Sequence, residues 1–172
     1  MVNRSVEPYR TSKEDGEEVI RGAHIGPYSL IEPKQGEALY LDREKYLKDH
    51  QDSKAAHHHE EERIVYQRYA AIDNYRRLIA NLLPEGLFCS HTVGYFKFDS
   101  PYDPGYLLSH LNSELLDWRF NLASTNNNIN GYELEVLPIR EVKFTKPVDE
   151  RENSVSTLID QYETARAEDN SP

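Results

Sequence analysis

The sequence predicts an α+β protein: a mixed or antiparallel sheet in the middle of a single domain, with helices at its periphery. Three observations carry that expectation. At 172 residues and 20.0 kDa the chain fits one domain and can bury a core without disulfide or metal staples. From Arg63 to residue 98 the composition turns β-branched and aromatic, with Pro and Gly as punctuation. After Asp103, leucines recur at spacings of 3 to 4, the period of an amphipathic helix. No internal repeat is visible.

In chain order, residues 1–18 are polar and predict a flexible N-terminal segment ahead of a domain at 19–167. Val19-Ile20-Arg21-Gly22 opens the structured part, and Gly26 and Pro27 divide residues 23–31 into short extended pieces. Residues 41–62 hold no Gly or Pro and predict a surface helix, open to interruption. Its apolar stripe is thin, since Leu41, Lys45 and Lys48 share a face with Tyr46 nearby. Ile64-Val65-Tyr66-Gln67-Arg68-Tyr69 predicts a strand, 75–83 a second, and 87–98 a third after a turn at Pro84-Glu85-Gly86. Asp103-Pro104 predicts a helix start, with Asp as N-cap and Pro at the first position. Leu107, Leu108, Leu111, Leu115, Trp118 and Leu122 predict one long amphipathic helix that places Trp118 in the core. Ser124-Thr125-Asn126-Asn127-Asn128 ends it, because these side chains favour turns. A short piece at 132–138, an extended one at 139–144, a closing helix at 154–167 and an acidic tail at 168–172 complete the chain.

Composition removes several function classes. Twenty Lys and Arg against thirty Asp and Glu give a net charge of −10, which excludes a uniformly basic nucleic-acid coat. Cys89 is the only cysteine, so an intrachain disulfide or a Cys-based zinc site is excluded. No apolar run approaches the ~18 residues of a membrane span, and the first residues have no signal-peptide core. A soluble, cytoplasmic protein is expected. The acidity sits at the two ends: residues 1–62 carry 9 basic and 14 acidic groups, 63–119 carry 6 and 6, and 120–172 carry 5 and 10. A binding surface is therefore expected in the middle, where Arg63, Arg68, Arg76 and Arg77 face one acid, Asp73.

Several motifs could carry chemistry. Arg68, Arg76 and Arg77, with Gln67 and Asn74, suit DNA: Arg pairs bidentately with guanine, and Gln or Asn with adenine. Asn126-Asn127-Asn128-Ile129-Asn130-Gly131 offers amides but suits a turn better. His57-His58-His59 with Glu60-Glu61-Glu62 has metal-ligand chemistry, yet neighbours on a helix diverge, so a solvated face is expected. Asp103-Pro104-Gly105-Tyr106 resembles the Asp/Asn-Pro-Pro-Tyr motif of adenine methyltransferases, but Gly replaces the second Pro and no Gly-rich cofactor loop precedes it. It is expected to start a helix. Glu141 and Lys143, with Asp117 upstream, match half of a metal-dependent nuclease site, as an acidic chain does by chance. Cys89 is expected to be a buried strand residue.

Three stretches together resemble a known family. Ile20-Arg21-Gly22-Ala23-His24-Ile25 is similar to its "RG-x-x-I" opening, and Arg63-Ile64-Val65-Tyr66-Gln67-Arg68 to the "K-I-V-x-Q-R" strand, with Arg63 in place of Lys. Leu107-Leu108-x-x-Leu111-Asn112-Ser113-x-Leu115-Leu116-Asp117-Trp118-x-Phe120, then Ile129-Asn130-x-Tyr132-Glu133-Leu134 and Leu137-Pro138-Ile139, resembles "LLxLLNSxLxxWYF…NxYxLxxLPIP". That combination is typical of the TaqI-like C-terminal specificity (target-recognition) domain of adenine-N6 DNA methyltransferases and type IIG restriction–modification enzymes. Type I specificity subunits have a related layout. The resemblance covers roughly residues 19–145; the His-Glu run has no counterpart in it.

The resemblance implies a non-catalytic module that reads double-stranded DNA for a methyltransferase or nuclease domain held in cis or on another subunit. Base contacts would fall to Arg68, Arg76, Arg77, Gln67 and Asn74, and backbone contacts to Arg21, Arg63 and Lys97. No cofactor or metal is expected in this chain, S-adenosylmethionine belonging to the catalytic partner. The alternative is an acidic protein-interaction module or a mimic of DNA's charge. Where the acids lie relative to Arg68 and Arg77 separates the two.

Overall fold

Alternation along Arg63-Ile64-Val65-Tyr66-Gln67 organises the molecule, because a strand sends successive side chains to opposite faces. The structure is a computed structural model that describes residues 6–33, 36–97, 102–143 and 148–169. Its strands are β1 (Arg10–Thr11), β2 (Glu17–Ile20), β3 (Tyr40–Leu41), β4 (Arg63–Gln67), β5 (Ala80–Leu83), β6 (Phe88–Cys89) and β7 (Val93–Lys97). The helices are α1 (Arg43–Asp49), α2 (Pro104–Leu111), α3 (Glu114–Asn121), α4 (Gly131–Glu135) and α5 (Val148–Asp169), with short 3-10 turns at Glu7–Tyr9, Gly22–His24 and Ala56–Glu60.

The chain is α+β, with two sheets. One is antiparallel in the order β5-β4-β7; the other runs β1-β3-β2-β6, with β2 and β6 parallel. Ile64 and Tyr66 face a core built with Ala80, Leu108, Leu111, Leu116, Phe120 and Ile129, mostly from the helices. Val65 faces the other way, onto Ile20, Ile25, Leu83, Cys89, Val93 and Tyr95. The central sheet is thus covered on both faces, which explains why β4 reads as a near-continuous apolar run. A third cluster (Val6, Val19, Leu39, Leu41, Tyr46, Ala56, Phe88) closes the outer side of the second sheet.

Several local expectations are corrected. The N-terminal segment is not loose from Val6 onward: Val6 is buried against Leu39 and Leu41, and β1 pairs with β3. Residues 41–62 hold the interruption to which the predicted helix is open. Asp42 caps α1 by accepting from Lys45 N at 3.0 Å, α1 ends at Asp49, and a 3-10 turn follows. The region 75–83 is extended as a strand only from Ala80, and 87–98 contains β6 and β7, which belong to different sheets. Residue 98 lies outside the described residues. The predicted long helix is two: Asn112 ends α2, and Ser113 caps α3 by accepting from Leu116 N at 3.2 Å. That break rotates the buried face to Leu116 and Phe120, leaving Leu115, Trp118 and Leu122 exposed at 72%, 58% and 64%. Residues 139–143 form no strand, and Phe144 lies outside the described residues. The closing helix starts earlier than expected and absorbs the first tail residues, with Tyr162 meeting Tyr28 edge-on at 5.8 Å. Among the described residues no helix is long and apolar enough to cross a membrane.

Candidate nucleic-acid interface

The strand registers give the central sheet two chemically different ends. At one end Arg63 pairs with Leu83, beside Glu60, Glu61 and Glu62 and the Pro84-Glu85-Gly86 turn. At the other, Gln67 pairs with Val93, Tyr66 with Ala80, and the chain leaves β4 into a loop at 68–76. β4 spans four residue steps, so about 13 Å separates these ends. β2 and β6 are parallel with Ile20 opposite Cys89, so the start of β2 lies toward the acidic end and Arg21 toward the loop end, although the Glu18 carboxylate reaches back to His24 Nε2 at 3.5 Å. Gly22 meets the loop end directly: its N donates to Thr92 Oγ1 at 2.9 Å, and a Cβ there would lie 2.9 Å from the Thr92 carbonyl oxygen. Only glycine allows that approach.

The loop end presents a connected surface. Arg68 N donates to Thr92 O at 3.0 Å, its guanidinium Nη1 donates to His91 O at 3.3 Å, and it lies 5.9 Å from the Tyr69 ring centre. Tyr69 meets His91 edge-on at 6.2 Å and bridges to Asn128. Asn127 braces the loop twice, its carbonyl accepting from Ala70 N at 2.8 Å and its Oδ1 from Ile72 N at 3.0 Å. Asn74 and Tyr75 are exposed. Arg76 donates through Nε to Leu78 O at 3.2 Å, while its Nη2 is buried and partnerless among the described residues; Arg21 Nε is likewise partnerless.

Two of the predicted DNA contacts are corrected outright. Arg77 is 1% exposed and is a bolt for the framework, not a base reader. Its guanidinium donates to the carbonyls of Ala70 (3.3 Å), Ser124 (3.3 Å) and Asn126, to Asn121 Oδ1 (3.3 Å) and to Ser124 Oγ (3.2 Å). It also lies 5.0 Å from the centre of the Phe120 ring. Arg63 is 2% exposed, at the acidic end, donating to Glu61 O at 3.1 Å, to Leu87 O and to Cys89 Sγ at 3.4 Å. It cannot reach a phosphate. Gln67 is half-buried, with Nε2 donating to Ile25 O at 2.7 Å. The Lys97 side chain lies outside the described ones. Of the predicted set, Arg21, Arg68, Asn74 and Arg76 therefore gather at one end with groups to offer.

The leucine-rich motif is framework. Asn112 acts as a substitute strand on the edge of β5: Oδ1 accepts from Ala80 N and Nδ2 donates to Ala80 O, both at 2.9 Å. Asp117 Oδ1 accepts from Arg77 N at 2.9 Å and Leu78 N at 2.6 Å, and its Oδ2 accepts from Asn121. Buried backbone groups on an edge strand need partners, and these two side chains supply them. Asp117 is consequently unavailable to a nuclease site. Glu141 and Lys143 lie in an exposed, irregular segment.

The histidine run is also corrected, because it is not a solvated face. His59 is buried, stacked on Phe88 at 4.2 Å, with Nδ1 on Ala56 O at 2.9 Å. Burial, ahead of nearby Arg43 and Arg63, holds its pKa below the ordinary value. His58 Nδ1 meets Tyr95 OH at 2.8 Å, and the run is open to water at the His57–Glu60 pair, Glu61 and Glu62. Among the described residues no three His, Cys, Asp or Glu are placed to hold a metal ion. Asp103 caps α2 as expected, accepting from Gly105 N at 2.7 Å. Cys89 is buried in β6, and burial pushes its thiol pKa up.

A groove of about 530 Å³ missed by sequence reasoning opens beside Arg68, between the sheet face and α2 and α4. Tyr66, Phe96, Leu107, Ile129 and Leu134 line it. Gly94 is its nearest sequence signal, since any Cβ there would strike the Tyr66 ring. Compared with known proteins, the sequence matches no family model and no curated protein.

Proposed function

We propose that this chain is a DNA target-recognition module without activity of its own, which presents the loop end of its central sheet to double-stranded DNA for a methyltransferase or nuclease domain. The observation that carries this reading is the separation of charge along β4. Exposed Glu60, Glu61, Glu62 and Glu85 lie at one end, with Arg63 buried and Lys97 paired to it there, while Arg21, Arg68 and Arg76 lie at the other, together with Asp73 of the loop and Glu135 of the groove beside Arg68. A net charge of −10 is compatible with phosphate binding when the acids face away from it. Arg68, beside exposed Tyr69 and His91, is the foremost base-reading candidate, with exposed Asn74 on the same loop.

The test measures duplex binding across salt concentrations, with the chain in the full polypeptide or complex in which it occurs. Affinity should fall as salt rises, and Arg76→Ala should weaken all sequences alike and flatten the salt slope by about 1. Binding that ignores salt would overturn the reading.

The second reading, an acidic protein-interaction module, is favoured by exposed Leu115 and Trp118 on α3 and Leu122 at its C-cap, spaced to share one face. Recovery of a stable protein complex whose formation buries Trp118, with no DNA retention, would support it instead.

A further inference from the structure

Ile72 and Tyr75 stand three residues apart in the loop between β4 and β5, 55% and 95% exposed. Burial of apolar surface is the main gain of folding, so two such side chains held out in water suggest a surface shaped for a partner. The loop that carries them is fixed from beneath. Asn127 receives Ala70 N and Ile72 N, Asn74 N donates to Ala71 O at 3.1 Å, and Asp117 receives Arg77 N and Leu78 N. The buried Arg77 guanidinium ties the same loop to residues 121–126. A loop braced this way is ordered before its partner arrives, which lowers the entropy cost of binding.

Asn74 and Arg76 flank Tyr75 in the chain and Arg68 enters the same loop, groups suited to phosphates and base edges. An aliphatic wedge can part a base step, and an aromatic ring can stack on the face so exposed. Resting on the DNA reading above, we propose that Ile72 enters the stack of the target duplex at one base step and that Tyr75 stacks against the base it exposes. Part of the specificity then comes from how easily that step unstacks, so flexible pyrimidine–purine steps are favoured at positions no side chain hydrogen-bonds.

The test uses a duplex carrying the motif enriched by random-duplex selection, with 2-aminopurine placed at each position in turn. Wild type should brighten the probe severalfold at one step. Ile72→Ser and Tyr75→Ala should abolish most of that rise, and Tyr75→Phe should keep it. Both positions are exposed, so thermal melting checks that the variants fold. Salt-dependent binding of the motif with a silent probe at every position would overturn insertion while leaving groove recognition intact. Absence of any enriched motif and of salt-dependent retention would overturn both.

Discussion

At the scale of single residues, four arginines that look alike in sequence divide by environment. Arg68 and Arg76 lie half-buried at the loop end, while Arg63 and Arg77 are enclosed by carbonyl oxygens. Nothing in a one-dimensional pattern separates them, because the partners of Arg77 other than Ala70 come from 44 to 49 residues further on. Arg77→Ala strands several buried carbonyls and should cost about 3 kcal/mol in denaturant unfolding, whereas Arg68→Ala should cost under ~1 kcal/mol. Equal costs would contradict the division. Trp118 offers a second check, since it is the only tryptophan. Its emission should be that of a water-exposed indole, readily quenched by iodide. A blue-shifted, protected signal would restore the core position that the leucine periodicity suggests.

At the scale of elements, the strands were legible where both faces of the sheet are covered, as in Ile64-Val65-Tyr66, and the Asp103-Pro104 helix start was legible from its cap. The broken helix was not. Leucine spacing continues through Asn112-Ser113, and only the three-dimensional demand of β5 explains the break: Asn112 must turn its amide onto Ala80. Asn112→Ala removes the acceptor of the Ala80 amide and leaves the Ala80 carbonyl only the 3.5 Å contact from Tyr28 N, and should cost about 2 kcal/mol, with faster hydrogen exchange at the Ala80 amide. Ser113→Ala removes only a cap and should cost about 1 kcal/mol. Unchanged Ala80 exchange in Asn112→Ala would show that the edge is satisfied otherwise. The candidate surface was half legible for the same reason: Arg68 and Asn74 lie near the sequence signal, but the bracing Asn127 and the buried Arg77 become meaningful only across the fold.

Over the whole molecule, two histidines of one short run pull stability in opposite directions with pH. His59 is buried, and that burial holds its pKa below the ordinary 6.5, so folding favours its neutral form. Its contribution is present above the unfolded pKa and is lost as pH falls toward the folded value. His57 is exposed, and its hydrogen bond to Glu60 raises its pKa, so its small effect fades as pH rises instead. Buried His59 should dominate, and stability should drop on acidification below about pH 6.5. His59→Gln should flatten that drop in urea unfolding followed across pH. A profile that leaves the drop unchanged would assign it to the carboxylates.

The same whole-molecule view bears on the proposed reading, that the exposed glutamates at one end of the β4 sheet leave Arg68 and Arg76 at the other end to meet DNA. The most direct measurement is a random-duplex selection on the full polypeptide or complex, run for wild type, Arg68→Ala and Asn74→Ala. Wild type should enrich one motif, and each variant should lose preference at a single base position, at ~1–3 kcal/mol per position. An identical motif in all three proteins, or none in wild type, would contradict it.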